Sequence, residues 1–542
     1  MSRPSWRATV LFGAVVLSAA ACSREPVQKE ALQQLYTPRF APPPPAAPTL
    51  VTLQETVTAW AGALPDAIVP GTRPGSWLPN QPAVLWISLA VLLVAGFDFR
   101  RPRNPRNLDL LLLQLLGWLF FDVLSFLDHL RDSTRYQLMD WVFAAVVGVT
   151  FTMEVRSVRR SRRRPGVGAR RERVRPFLPA LALALLALDV VTALYSPPDD
   201  AGYFINIGGQ RLRERLRWPY GDPLLTATPS AAYGPVLYAA HVPFQLLLAP
   251  DPMNPVSLPK PRLDAAEPYY LPPLLATKLC TIAFHLLGVA ALFIAARRLS
   301  GAATAWTVVA LYCGSPFVLG VGGAEYSIGG MTFVSHIAPA ALTIVAFALL
   351  RFPAWSGVAL AASIGALFYP LFLVPAWVGY YWADTPLLRR FFVGFSLASL
   401  LIGSAVLLLS EPANGRGLVG TILYDTLGHQ EAPEAYGSSP FGFWGQRSGV
   451  RGWLMTPLAG TQAMSRPVLL AFFAFAASMW WLARRRTPAQ FALLVAAVAM
   501  GAQLWKIHAT ATYVTWYYPF LLLGLFCEGP GRAPDTDSRA HA

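Results

Sequence analysis

The chain has 542 residues, 54% of them apolar and only 13% charged, with 44 Lys and Arg against 29 Asp and Glu. Soluble domains carry about a quarter charged residues, so this composition excludes a soluble globular protein. The net charge of +15 does not point to nucleic acid, because the arginines cluster beside the ends of apolar runs, where they act as topology signals of a polytopic membrane protein.

In chain order, Arg3 and Arg7 precede an apolar stretch, Val10 to Ala21, that ends Ala19-Ala20-Ala21-Cys22. Residues 1–22 therefore have the layout of an export signal. The ending resembles a permissive bacterial lipoprotein box with a lipidated Cys22; an ordinary signal with an incidental Cys is the equal alternative. Residues 23–80, which include Pro42 to Pro45, lack a helical apolar period and read as an extended external tether. Residues 81–176 hold three spans, near 82–97, 109–127 and 138–154, and then a basic loop. Ten Arg and one Glu between Arg156 and Arg175 fix that loop in the cytoplasm.

From this anchor the alternation propagates. A span near 177–195 runs outward to a long external loop, 196–270, whose six Lys/Arg and seven Asp/Glu suit the outside. A span near 272–295 returns to Arg297-Arg298, and spans near 302–320 and 331–350 make the next excursion, with Gly322 to Tyr326 outside and Arg351 inside. Between Arg351 and Arg389 only a short pair fits, about 354–368 and 370–384, broken at Tyr369-Pro370. Interrupted segments of this kind line protein cavities rather than lipid. A span near 391–410 leads to a second external loop, 411–465; spans near 467–483, 488–505 and 513–527 follow, and 528–542 form a polar cytoplasmic tail. The expected fold is all-α, with about thirteen mature spans and two large external loops. Cys280, Cys313 and Cys527 lie in or beside apolar runs and read as packing residues.

The external loop opens Ser196-Pro197-Pro198-Asp199-Asp200-Ala201-Gly202-Tyr203, placing two carboxylates just beyond an outward span. A general base for sugar transfer needs a carboxylate there, to take a proton from an acceptor hydroxyl while a lipid-held donor presents its anomeric carbon. The same fragment is also an ordinary loop start that caps a following helix. Ile205 to Arg217 suits a short helix in the headgroup layer. The aromatics and prolines of Trp218-Pro219-Tyr220-Gly221-Asp222-Pro223 and Tyr233-Gly234-Pro235-Val236-Leu237-Tyr238 suit interface anchors.

The order of these features resembles the first external loop of the GT-C superfamily of polyprenyl-phosphate-sugar-dependent glycosyltransferases, closest to the mannosyltransferase-like glycosyltransferase family 87. Ala276-Thr277-Lys278-Leu279 and Gly365-Ala366-Leu367-Phe368-Tyr369-Pro370-Leu371 are similar to that family too. Family members often carry a Lys shortly before that Pro, where Phe368 and Tyr369 stand here. The resemblance covers about 177–527. It implies a GT-C-like membrane core with its active site on the outer face of a bacterial inner membrane, and inverting transfer that is metal-independent or assisted by a divalent metal. The substrates it implies are a polyprenyl-phosphate sugar, of mannose or another hexose or pentose, and a glycan or glycolipid acceptor. The base carried over is Asp200 or the adjacent Asp199, with Tyr203, Tyr233 and Pro235 positioning the loop and acceptor.

Cations for the donor phosphate are sought at the same surface, since a phosphate ester needs fixed cationic donors. Lys506, His508 and Arg447 are the candidates, and Arg451 reads rather as a snorkelling interfacial cation. Glu325 and His336 lie near an outer helix end and suit capping or support; His241 and His285 suit packing or the interface. No His/Cys/Asp set has metal-ligand spacing along the chain, so no residue is assigned to a metal. Two other classes compete: a multispan transporter, which would place ionisable residues at mid-depth in several spans, and a non-enzymatic scaffold or sensor, to which the first three spans and the tether would belong.

Overall fold

The structure is a computed structural model that describes residues 81–100, 102–104, 107–111, 114, 176–195, 198, 200–222, 233–248, 251–252, 270–271, 274–319, 321–322, 327–328, 333–413, 415–426, 465–505 and 512–527. The signal, the tether, the third span, the Arg156–Arg175 loop and the tail lie outside the described residues, as does most of the second span.

The described residues form an all-α protein with two minimal antiparallel ladders, Asp251–Pro252 with Tyr270–Leu271 and Val321–Gly322 with Ser327–Ile328. The helices, in order, are α1 (Gln81–Val91, continued by a π turn over Leu92–Gly96), α2 (Phe177–Tyr195), α3 (Asp200–Arg215), α4 (Pro235–Leu247), α5 (Leu274–Ser300), α6 (Ala302–Cys313), α7 (Pro316–Leu319), α8 (Val334–Ala348) and α9 (Pro353–Ala366). A 3₁₀ turn over Tyr369–Leu373 leads to α10 (Val374–Tyr381), α11 (Thr385–Leu409), α12 (Leu418–Thr426), α13 (Ser465–Leu482) and α14 (Pro488–Trp505); a second 3₁₀ turn, Thr512–Trp516, precedes α15 (Tyr518–Phe526).

Three of these helices are long and apolar enough to cross a membrane, Phe177–Leu194, Leu275–Ser300 and Thr385–Leu409, and five shorter apolar helices accompany them. The protein is therefore a membrane protein. The expected run 302–320 is split at Gly314 and Ser315 into α6 and α7, and the run 513–527 is split into the second 3₁₀ turn and α15. Both interruptions sit in buried surroundings, where the protein supplies partners that lipid cannot.

The helices pack through small residues and a few buried polar bonds, as expected where lipid and protein are equally apolar. In α9 and α11, Gly394 lies so close that an added methyl would meet the Ala354 carbonyl at 2.0 Å. Pro339 breaks the hydrogen-bond ladder of α8, and its carbonyl accepts from Thr343 at 2.8 Å and from Ser363 of α9 at 2.7 Å. Ser356 donates to the Ala346 carbonyl at 2.7 Å and accepts from the Trp377 indole at 3.0 Å. α11 instead presents its apolar face outward, with Leu401 73% and Leu408 80% exposed; such a face needs lipid around it. α1 shares the main core with α6, and Gln114 accepts from Ser88 at 2.7 Å, so the first span packs directly on the remainder.

At one end of the bundle lie Arg297, Arg298, Arg351, Arg389 and Arg484 to Arg486, beside helix ends. Arg298 donates to the Ala348 carbonyl at 2.8 Å, and Arg484 lies 3.9 Å from the centre of the Trp480 ring. The opposite end carries α3, α4, α12 and the start of α8.

Candidate functional site

α3 begins at Asp200, so this residue opens a helix of 16 residues. The expectation of a short amphipathic helix lying in the headgroups is corrected here. From Ala201 to Arg211 every side chain of described placement is buried, and exposure begins only near Glu214. The cause is tertiary: α4, α5 and α8 all pack on α3. Arg211 is 4% exposed and contacts Asp222 at 3.0 Å; desolvation depresses its pKa, with Asp222 opposing.

The aromatics expected to anchor in the interface are corrected likewise. Trp218, Tyr220 and Tyr238 are buried with Ile205, Leu237 and Val334 in a second core. The Tyr220 hydroxyl donates to the Tyr233 carbonyl at 2.8 Å, and the Tyr233 amide donates to the Tyr238 hydroxyl at 3.1 Å. Tyr220 thus keeps its proton, its pKa raised by burial and then by the nearby Asp425 charge.

This core joins the segment that follows α2 to the segment that follows α11. The Trp218 amide donates to the Leu409 carbonyl at 2.8 Å and its indole to the Ala405 carbonyl at 2.8 Å. Arg217 pairs with Glu411. The Gly221 amide donates to the Asp425 carboxylate at 2.6 Å, a short charge-assisted bond. Gly221 has a φ of +77° and an added methyl there would meet the Glu411 carbonyl at 2.6 Å, so both the turn and the contact require glycine.

Four separate sequence features meet at this end. Gly234, just before Pro235 at the start of α4, donates to the Ala366 carbonyl at 3.1 Å, and a methyl on it would lie 2.1 Å from the Gly365 carbonyl. His241 of α4 donates through Nδ1 to the Leu237 carbonyl at 2.7 Å; that oxygen can only accept, so Nε2 accepts from the Thr277 hydroxyl of α5 at 3.1 Å. Lys278 donates to the Leu194 carbonyl at 2.7 Å, capping the end of α2 from which the Asp199-Asp200 segment departs. Tyr369, in the short turn after α9, stacks on Trp516 with ring centres 3.6 Å apart. Trp516 and Tyr513 in turn pack on His336 at the start of α8, at 5.9 and 4.3 Å.

Only the backbone of Asp200 and Tyr203 belongs to the described residues; Asp199, Glu325, Arg447, Arg451, Lys506 and His508 lie outside them. Comparison of the chain with family models, with curated proteins and with solved structures gives no match.

Inside the bundle, His285 is buried and packs, its ring stacking on Tyr312, and its Nε2 also lies 3.1 Å from Asp189 Oδ2, both side chains being fully buried. Cys313, also buried, joins them in a set whose donor atoms lie within 4.8 Å of one another. Chain spacing could not reveal this set, because its members come from three helices. The signal available was the ionisable Asp189 within an otherwise apolar span, which is a functional marker by default.

Proposed function

We propose that the protein is a membrane glycosyltransferase that moves a sugar from a polyprenyl-phosphate donor to an acceptor hydroxyl at the outer face of the membrane, with Asp200 or Asp199 as general base. One observation carries this reading: the segments that resemble GT-C enzymes lie far apart in the chain and meet at one end of the bundle. Gly234 bonds Ala366, His241 bonds Thr277, and Lys278 bonds the helix end that leads to Asp199 and Asp200. A base must be held rigidly while its neighbours bind substrate, and α3 is a buried helix headed by Asp200. The Lys278 ammonium adds a cation at the root of that segment, suited to a phosphate brought there on a lipid. Lys506, His508 and Arg447 remain the further proposed partners of the donor phosphate, and Tyr203, Tyr233 and Pro235 the residues that shape the acceptor side. In this reading the enzyme belongs to a bacterial inner membrane with its active site facing the periplasm.

A carboxylate base takes the acceptor proton as the hydroxyl oxygen attacks the anomeric carbon, and the polyprenyl phosphate leaves. Asp200→Asn or Asp199→Asn keeps the shape and removes the proton acceptor. Turnover of a polyprenyl-phosphate sugar by purified protein should fall about 10²–10⁴-fold in whichever variant removes the base. Normal turnover in both single variants and in the double variant would overturn the assignment.

The transporter reading draws on Asp189 and His285, which are ionisable residues inside spans. Their complete enclosure gives no route for a substrate, and a fixed structural part fits them better.

A further inference from the structure

Asp189, His285 and Cys313 have no part in the proposed transfer. They come from α2, α5 and α6 and meet in the interior of the bundle. The His285 ring also stacks on Tyr312 with centres 5.8 Å apart. The Cys313 sulfur lies within 4.8 Å of the ligand atoms of Asp189 and His285.

We propose that these three side chains form a buried divalent-metal site, with zinc as the ion of best fit, that fastens α2, α5 and α6 together. Three observations support it. The donor set of one carboxylate oxygen, one imidazole nitrogen and one sulfur suits zinc and excludes magnesium and calcium, which take oxygen ligands. The protein alone leaves the cluster's bonding capacity unfilled: Asp189 Oδ1, His285 Nδ1 and the neighbouring Thr192 hydroxyl are buried without hydrogen-bond partners. Such orphans are costly in an apolar interior. Finally, a divalent ion, a carboxylate, a thiolate and a neutral imidazole sum to zero charge, the state that a low-dielectric site tolerates.

The geometry requires a small adjustment. Tetrahedral zinc holds its donors about 3.3–3.8 Å apart, against a spread here of up to 4.8 Å, so side-chain rotation must close the set. Asp189 Oδ1 is free to make the carboxylate bidentate. Binding displaces the thiol proton and the proton shared between Asp189 and His285, so two protons leave for each ion bound. Because all three side chains are enclosed, the ion enters as the helices assemble, and it should remain with the protein through purification. The site sits beneath the end of α2, so it would steady the helix from which the Asp199-Asp200 segment departs.

The test uses the full-length protein, purified in detergent from cells grown with zinc or with cobalt. Elemental analysis should find about one ion per chain, the stoichiometry of a single structural site. The cobalt protein should show a thiolate-to-metal charge-transfer band. A variant with Cys22, Cys280 and Cys527 all replaced by Ser leaves Cys313 alone and should keep that band, while Cys313→Ser should lose it. The triple variant assigns the sulfur even if Cys313→Ser does not fold. No metal above background in the wild type, a cobalt spectrum without the thiolate band, or loss of the band from the folded triple variant would each overturn the site. None of these readouts depends on sugar transfer.

Discussion

The two ends of the bundle are built differently. At the arginine-rich end, among the described residues, connections are short and bonds stay close: Arg486 donates back to the Leu482 carbonyl of its own helix end at 2.8 Å, and Arg298 reaches only the end of α8, at the Ala348 carbonyl. Arg297, Arg351, Arg389 and Arg390 are exposed beside helix ends, while Arg298 and Arg484 lie back on the protein surface against the Ala348 carbonyl and the Trp480 ring. At the opposite end the bonds are buried and long-range. Gly221 and Asp425 are 204 residues apart, and Trp218 reaches Ala405 across 187. Such contacts are costly in loop-closure entropy and their polar atoms had to leave water, so they mark a surface whose exact shape matters. One end keeps its contacts local, and the other assembles a cap from distant segments.

The sharpest way to break this contrast is to place a methyl group into each end. Gly234→Ala forces α4 from the Gly365 carbonyl, and Gly394→Ala forces α11 from Ala354. Backbone opposes each new methyl, so both should lose about 3 kcal/mol or more, the upper part of the overpacking range. Thermal unfolding in detergent, followed by a thiol-reactive dye, would show the loss. Turnover per folded molecule separates the ends: Gly234→Ala should lower it and Gly394→Ala should leave it intact. Equal losses of specific activity would erase the distinction.

Acid should act on the cap through His241. Burial pushes its pKa down to about 4, with the bond to Leu237 opposing, whereas an unfolded His titrates near 6.5. Below about pH 6.5 the unfolded state therefore binds the extra proton, so stability is complete above that pH and is lost as pH falls toward 4. The full loss is on the order of 3 kcal/mol. His241→Gln does not titrate, so its stability should be lower overall but flatter between pH 6.5 and 4 than that of the wild type. Parallel slopes for the two proteins would assign the acid sensitivity elsewhere.

The smallest perturbation tests the sidedness of the contrast. Leu216 is exposed beside the cap and Arg297 is exposed at the arginine end. Leu216→Cys should react with an impermeant maleimide from outside, and Arg297→Cys only after the membrane is opened, both with negligible effect on stability. Gly208 is unsuitable for such labelling because it lies against Tyr238. The reverse pattern would invert the topology and remove the outer-face active site.

Much of the helix placement was legible in the chain. The apolar runs near 177–195, 354–368 and 488–505 match α2, α9 and α14 closely, because burial in lipid needs long apolar segments whatever their neighbours. The Tyr369-Pro370 break was legible for a related reason: proline cannot continue the helical ladder. The candidate site was legible only in pieces. Asp199 and Asp200 stood out as carboxylates beyond a span, and Gly365-Ala366 as part of a resemblance, but nothing in the chain linked Ala366 to Gly234. The aromatics of 218–238 looked like interface anchors because an amphipathic ring suits a wet boundary as well as a buried core, and local pattern does not distinguish them.

Sequence by itself determined that this is an all-helical membrane protein, where many of its apolar helices begin and end, and which loops carry the excess arginine. Those properties depend on composition and on periods shorter than one helix. Tertiary structure decided that α3 is buried rather than interfacial, that the cap joins the segments after α2 and α11, and that Asp189, His285 and Cys313 share one point. Each of these joins residues tens to hundreds of positions apart, and a chain pattern carries no record of which distant helix face will close over a charged or polar group.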